Sequence, residues 1–140
     1  MTLRVLISDG EASGDLYASY LAAALLRRHP RIELFGCAGP RMQRAGVRLV
    51  VDSASLAVAG LLEVVVHLPR IYREYRKLVR EIRRKPPDAA VLTDSPDFHL
   101  RLARELKRMG VPVVYLIAPQ VWAWRKDRLP LMRRTIDRLL

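Results

Sequence analysis

Ala89-Ala90-Val91-Leu92-Thr93-Asp94-Ser95-Pro96-Asp97-Phe98 is the stretch on which the fold turns. An apolar run of strand length empties into two carboxylates, one on each side of Ser-Pro. Unbroken apolarity suits a strand covered on both faces, as in a parallel sheet. Beyond it the period changes. Phe98, Leu102, Leu106 and Met109 recur at helical spacing, and Gly110 supplies a stop. Asp94 is therefore expected at the carboxyl end of a buried strand, just ahead of a helix. In open α/β sheets that edge is where ligands bind. Ser95, Pro96 and Asp97 also have a purely local reading, as helix cap, first helical residue and dipole-favoured acid. That reading leaves Asp94 without a duty.

Toward the N-terminus, Leu3-Arg4-Val5-Leu6-Ile7 reads as the first strand, and residues 8–15 as a loop of small residues. A helix is expected next, with Tyr17, Tyr20, Leu21, Ala24 and Leu25 on one stripe, ending near His29-Pro30. Such a loop lets backbone N–H groups approach a ligand at the helix N-terminus. It lacks the spacing of a dinucleotide fingerprint or a P-loop lysine. An ordinary strand–helix connection capped by Ser13 or Asp15 is the reading the pattern alone favours. Residues 32–38 and 47–51 read as strands around a short helix within 39–46. Residues 53–60 form a small-residue connection.

Residues 61–72 are too apolar for a surface loop. Pro69 is expected to open or kink the helix after it, with Ile71, Tyr75, Leu78, Val79 and Ile82 as its buried stripe. Residues 70–85 hold eight basic and two acidic side chains. An apolar patch beside a basic helix is the layout of a membrane-surface contact. A core helix followed by a solvated basic one fits the same residues. Toward the C-terminus, residues 111–117 read as a strand, and 118–125 hold both tryptophans. Trp and Arg side by side suit sugar or phosphate contacts, or else two core anchors before a solvated basic helix. Residues 137–140 look like the start of another strand.

A chain of 140 residues, 51% apolar, is the size of one domain and can bury a core. No apolar run reaches the ~18 residues needed to cross a bilayer, and the start lacks a signal-peptide layout, so a cytoplasmic location is expected. One cysteine, Cys37, excludes an internal disulfide and a cysteine-cluster zinc site, and no metal or cofactor is called for. The net charge of +11 implies an acidic partner, unless it reflects only an arginine-favouring proteome. The aromatics are few and clustered in one motif, which argues against nucleic acid. Alternating strands and helices give an α/β class, a Rossmann-like doubly wound parallel sheet. Three ligand-suited segments follow strands, at residues 9–15, 94–97 and 119–125, and the fold rule gathers them on one edge.

Five motifs stand together: Gly10-Glu11-Ala12-Ser13-Gly14-Asp15, Gly39-Pro40-Arg41-Met42, Gly60-Leu61-Leu62-Glu63-Val64, Asp94-Ser95-Pro96-Asp97-Phe98 and Pro119-Gln120-Val121-Trp122-Ala123-Trp124-Arg125. In order and spacing the set resembles the lipid-A-disaccharide synthase family along the whole chain. The resemblance implies an inverting glycosyltransferase of the two-domain GT-B type. Its substrates would be UDP-diacylglucosamine and diacylglucosamine 1-phosphate, its products UDP and a tetraacyl disaccharide 1-phosphate. Residues 1–140 would be the N-terminal, acceptor-side domain, inactive without the C-terminal UDP-sugar domain. Asp94 would be the catalytic base. Glu11, Ser13, Gly14, Asp15, Asp97, Trp122 and Arg125 would line the substrate cleft. Leu61, Leu62, Val64, Val65, Leu68, Ile71 and Tyr72 would touch the anionic inner leaflet, making the protein peripheral on the cytoplasmic face of the inner membrane. A non-catalytic lipid or anionic-membrane binding module is the alternative. His99 departs from the family's usual Asn, Ala118 and Gln120 from a usual Ser, and Ala59 from a usual Met.

Overall fold

The computed structural model describes residues 2–10, 12–56, 61–93, 96–116 and 137–139. Along the chain run β1 (Arg4–Ser8), α1 (Ala12–Arg28), β2 (Glu33–Ala38), α2 (Pro40–Arg44) and β3 (Arg48–Asp52). A 3₁₀ turn at Ser53–Leu56 leads toward α3 (Leu61–Arg84), β4 (Ala89–Thr93), α4 (Pro96–Arg108), β5 (Val113–Leu116) and β6 (Arg138–Leu139). All pairings are parallel, in the order β3-β2-β1-β4-β5-β6. This is the Rossmann-like doubly wound arrangement, and its order reverses between β1 and β4.

Strand periodicity divides the core in two. Val5, Ile7, Leu34 and Val91 pack with Ala18, Ala22 and Met42 on the α1–α2 side. Leu6, Phe35, Ala90 and Leu92 pack with Leu78, Ile82, Leu102 and Leu106 on the α3–α4 side. Tyr75 of α3 meets Phe98 of α4 edge-on at 5.5 Å, and burial pushes the Tyr75 phenol up.

Three local expectations are corrected. Helix α1 begins at Ala12, inside the stretch read as loop. Its sheet-facing stripe is Gly14, Ala18 and Ala22, spaced four apart, because close approach to the strands needs small residues there. Tyr17 and Tyr20 lie on the far side, 51% and 62% exposed. Third, Pro69 does not open a helix but lies inside α3, so the apolar 61–72 stretch is the helix's own first half. Pro69 is exposed, where its ring avoids the core. The buried stripe reads as expected: Leu78, Val79 and Ile82 are buried, with Ile71 and Tyr75 packed beside them.

The amino edge of the sheet is closed by charge. Arg4 is 3% exposed, its guanidinium 3.7 Å over the Phe35 ring and 3.2 Å from Glu81. Glu81 also takes Arg48 at 3.0 Å and Arg84 at 2.9 Å. The Arg84 hydrogen bond, aided by those from Arg48 and Arg4, holds the Glu81 carboxyl down at about 2. Two aspartates just ahead of strands repeat one clasp. The Asp88 amide donates to the Arg4 carbonyl at 2.7 Å, and its carboxylate accepts from the Arg4 amide at 2.8 Å. Asp137 does the same with Val113, at 2.8 Å both ways. The Lys107 ammonium and the Val113 amide hold the Asp137 carboxyl below the usual range.

Candidate functional site

The carboxyl edge differs in kind. Seven described polar or charged residues are buried: Arg4, Ser8, Asp9, Asp15, Ser19, Thr93 and His99. Ser8, Asp9 and Thr93 stand where β1 and β4 end, at the reversal of strand order; Asp15 and His99 lie in the first turns of the helices that follow. Burying polar groups is costly unless they are tied to partners, so such a concentration marks a built place.

The alternation that divides the core also divides this cluster. On the α1 side, Asp9 and Thr93 meet Gly14. A Cβ at Gly14 would fall 2.5 Å from Thr93 Oγ1 and closer still to Asp9 Oδ1. Glycine is thus required by close approach, and it brings the N-terminal turn of α1 against both strand ends. The positive end of the helix macrodipole favours a carboxylate such as Asp9 in that position. The Asp9 amide donates to the Cys37 carbonyl at 2.9 Å, which fixes the exit from β1 against β2.

On the α4 side, Ser8 Oγ and His99 Nε2 lie 2.8 Å apart, both residues fully buried. The His99 ring stands edge-on between Phe98 at 5.4 Å and Tyr115 at 6.3 Å. The Ser8 hydroxyl also reaches the Cys37 thiol, whose pKa burial pushes far up, so Cys37 is an inert thiol. Thr93 Oγ1 donates to the Ser8 carbonyl at 3.5 Å. The ends of β1, β2, β4 and β5 are thereby laced to the first turn of α4.

Asp15 has a visible task. Its carboxylate accepts from the Arg41 amide at 3.1 Å and the Met42 amide at 3.0 Å, capping α2 from another helix. Gly39, the N-cap residue of α2, offers no side chain for this. Its missing Cβ leaves the room that Asp15 fills, since a Cβ would stand 2.5 Å from the Asp15 carboxyl carbon.

Helix α3 presents a mixed outer face. Val66, Leu68 and Tyr72 are 71%, 51% and 57% exposed, and the Arg76 guanidinium lies 5.9 Å over the Tyr72 ring. Arg73, Arg76 and Arg80 are exposed and make no ion pair among the described residues. Ile71 instead packs against the core.

Of the sequence-derived site residues, Gly14 and Asp15 are brought to this rim. Ser13 and Asp97 are placed as backbone in the first turns of α1 and α4, and Leu61, Leu62, Val64 and Val65 as backbone in α3. Glu11, Asp94, Trp122 and Arg125 lie outside the described residues. Ser8, Asp9, Thr93 and His99 were not singled out as site residues by sequence reasoning. The available signal was that the apolar runs of β1 and β4 both finish on a hydroxyl followed by an aspartate: Ser8-Asp9 and Thr93-Asp94. Among the described residues, no group of three or more His, Cys, Asp or Glu could hold a metal ion, and no helix is long and apolar enough to cross a membrane.

Comparison with known proteins agrees with this geometry. The family model described as Lipid-A-disaccharide synthetase matches residues 5–140. A lipid-A-disaccharide synthase of Solibacter usitatus is 64% identical over 137 residues, covering 98% of this chain and 36% of the relative. Those of Koribacter versatilis and Geobacter metallireducens are 52% and 49% identical, covering 99% and 97% of this chain and 36% and 35% of theirs. The chain thus spans about a third of the length of these curated relatives. With a family model matched from its first strand to its last residue, and a buried polar rim at the strand-order reversal, the chain belongs to the lipid-A-disaccharide synthetase family.

Proposed function

We propose that this chain is the N-terminal, acceptor-side part of an inverting GT-B glycosyltransferase that makes the lipid A disaccharide. The observation that carries the reading is the buried polar rim where β1 and β4 end, because β4 ends there at Thr93 and Asp94 is the next residue in the sequence. Asp94 is the general base. It takes the proton from the acceptor hydroxyl of diacylglucosamine 1-phosphate as that oxygen bonds to the anomeric carbon of UDP-diacylglucosamine. The anomeric carbon–phosphate oxygen bond breaks, and UDP leaves with the electron pair. Glu11, Ser13 and Gly14 line the cleft with backbone N–H groups at the start of α1, and Trp122 and Arg125 face sugar or phosphate. Asp97 orients the base or the acceptor, while Asp15 acts through the α1–α2 joint it holds. The remaining two-thirds of the relatives' length supplies the UDP-sugar half.

A chimera tests the base, with this chain replacing the matching segment of the Solibacter usitatus relative. Loss of a general base costs roughly 10²–10⁴-fold. Asp94→Ala is expected to lower turnover within that range, and a variant within about tenfold of its parent removes Asp94 from the role.

The outer face of α3 supports a membrane-surface role, with residues 61–72 seated on the cytoplasmic leaflet. Exposed Val66, Leu68 and Tyr72 precede exposed Arg73, Arg76 and Arg80, so apolar insertion and attraction to anionic lipid act side by side. Flotation of the chain with phosphatidylglycerol vesicles is expected at low salt and should fade as salt rises. No flotation at low salt removes the membrane contact and leaves the base assignment standing.

A further inference from the structure

We propose that the furrow between α3 and α4 is a docking surface for anionic lipid, seating headgroup phosphates between arginines of both helices. The proposal rests on the membrane reading of α3 and extends it to α4, which that reading does not use. Two contacts set the helices side by side: the Tyr75 and Phe98 rings at 5.5 Å, and Arg83 with Glu105 at 2.9 Å. The spacing between these contacts is nearly the same along each helix, so α3 and α4 run parallel. Arg83 belongs to a stripe of α3 spaced three or four apart, Leu68, Tyr72, Arg76, Val79 and Arg83. That stripe is the wall α3 turns toward α4. Arg101, Glu105 and Arg108 form the facing wall by the same spacing, with Arg104 beside them.

Charge in the furrow is unbalanced. Glu105 is shared between Arg83 at 2.9 Å and Arg108 at 3.3 Å. Arg76, Arg101 and Arg104 are exposed and make no ion pair among the described side chains. Arg101, Arg83 and Arg104 also converge on the half-buried Tyr75 phenol: burial and then Glu105 push it up, and these three guanidiniums pull the other way. Guanidinium forks match the oxygens of phosphate. The α3 wall tells which phosphate. It begins with exposed Leu68 and Tyr72 and continues into Arg76 and Arg83. Phe98, level with Tyr75, is only the third residue of α4, so the apolar part of the wall runs out past the first turn of α4. Apolar side chains that give way to arginines fit the boundary between acyl chains and headgroups. A nucleic acid would engage the arginines and leave Leu68 in water.

The test is partition of the chain onto phosphatidylglycerol vesicles at low salt. A basic residue near an anionic leaflet is worth roughly fivefold in binding. The double variant Arg101→Gln/Arg104→Gln is expected to partition at least fivefold more weakly than the parent, with its thermal midpoint unchanged because both side chains are exposed. Arg27→Gln/Arg28→Gln removes the same net charge from the last turn of α1, across the sheet, and should lose less. The proposal is overturned if the α4 variant loses less than fivefold, or if the α1 variant loses as much, since net charge alone would then explain the binding. Tighter binding to a single-stranded oligonucleotide than to vesicles, lost in the α4 variant, would also overturn it and give the furrow to nucleic acid. The two readings fail separately. A parent chain that does not bind vesicles removes both, whereas a binding parent with an unaffected α4 variant removes the furrow and leaves the α3 contact.

Discussion

Glu81→Gln isolates the charge cluster that closes the amino edge of the sheet. The substitution keeps the shape and removes the negative charge that three arginines share. Arg4 loses most, being 3% exposed, with Glu33 at 3.8 Å as its remaining carboxylate. A carboxyl held at about 2 instead of its ordinary 4.5 corresponds to roughly 3–4 kcal/mol, at ~1.4 kcal/mol per pH unit. Arg48 and Arg84 are 51% and 67% exposed, so solvent screening discounts their share. A loss of about 2 kcal/mol at pH 7 is expected, measured by urea denaturation of the chain. The pH dependence carries the sharper test. The folded state lowers this carboxyl, so its stabilisation is complete above about 4.5 and is lost as pH falls toward about 2. The gap between parent and Glu81→Gln should therefore hold constant from pH 7 to about 5 and narrow below that. A gap under about 0.5 kcal/mol at pH 7, or one that does not narrow in acid, would refute the reasoning.

Gly14→Ala is expected to cost about 1–3 kcal/mol, because its Cβ meets Asp9 and Thr93 at the strand ends; a thermal midpoint equal to the parent's would show that α1 can back away. Asp15→Ala removes the cap from α2 and should cost about 1–2 kcal/mol by chemical denaturation, with Asp15→Asn recovering part of it because an amide oxygen still accepts. Asp137→Ala opens the clasp on β5, and hydrogen exchange at the Val113 amide should accelerate. In the parent the same amide should loosen only in acid, since Lys107 and that amide hold the Asp137 carboxyl down.

The sheet was legible because its strands are short apolar runs set off by charged or small residues, a pattern that survives without any tertiary information. The apolar run from Ala89 reads as a strand finishing near Asp94 from that pattern alone, and β4 is Ala89–Thr93. The start of α1 was not legible. Gly14 reads as a loop residue by propensity, yet it is helical because two strand ends need its missing side chain. The α1 stripe was right in part: Leu21 and Leu25 pack against the core, but apolar size also pointed to the exposed Tyr17 and Tyr20, while close packing selected Ala18 and Ala22. Pro69 has a clear local preference for a helix start, and the apolar residues ahead of it simply continue the helix. Of the site, the loop after β1 and the strand end of β4 were readable as places. The Ser8–His99 tie was not, since 91 residues separate its partners and no local pattern pairs them.

The two edges of one sheet solve the same problem differently, and the difference bears on where chemistry can occur. At the amino edge, backbone groups and buried charge are matched locally: Asp88 and Asp137 clasp neighbouring strands, and Glu81 answers Arg4. At the carboxyl edge the buried groups join separate elements instead: Ser8 with His99, Asp15 with α2, and Asp9 and Thr93 against α1. Their effect is to set helix N-termini and strand exits at fixed separations where the paired strands β1 and β4 end. The transfer reaction proposed above would need such a frame, because a base displaced by about 1 Å can lose a hundredfold in rate. The buried polar residues of this rim are therefore best understood as the means by which the strand ends and the first turns of α1 and α4 are held to a tolerance that apolar packing alone would not enforce.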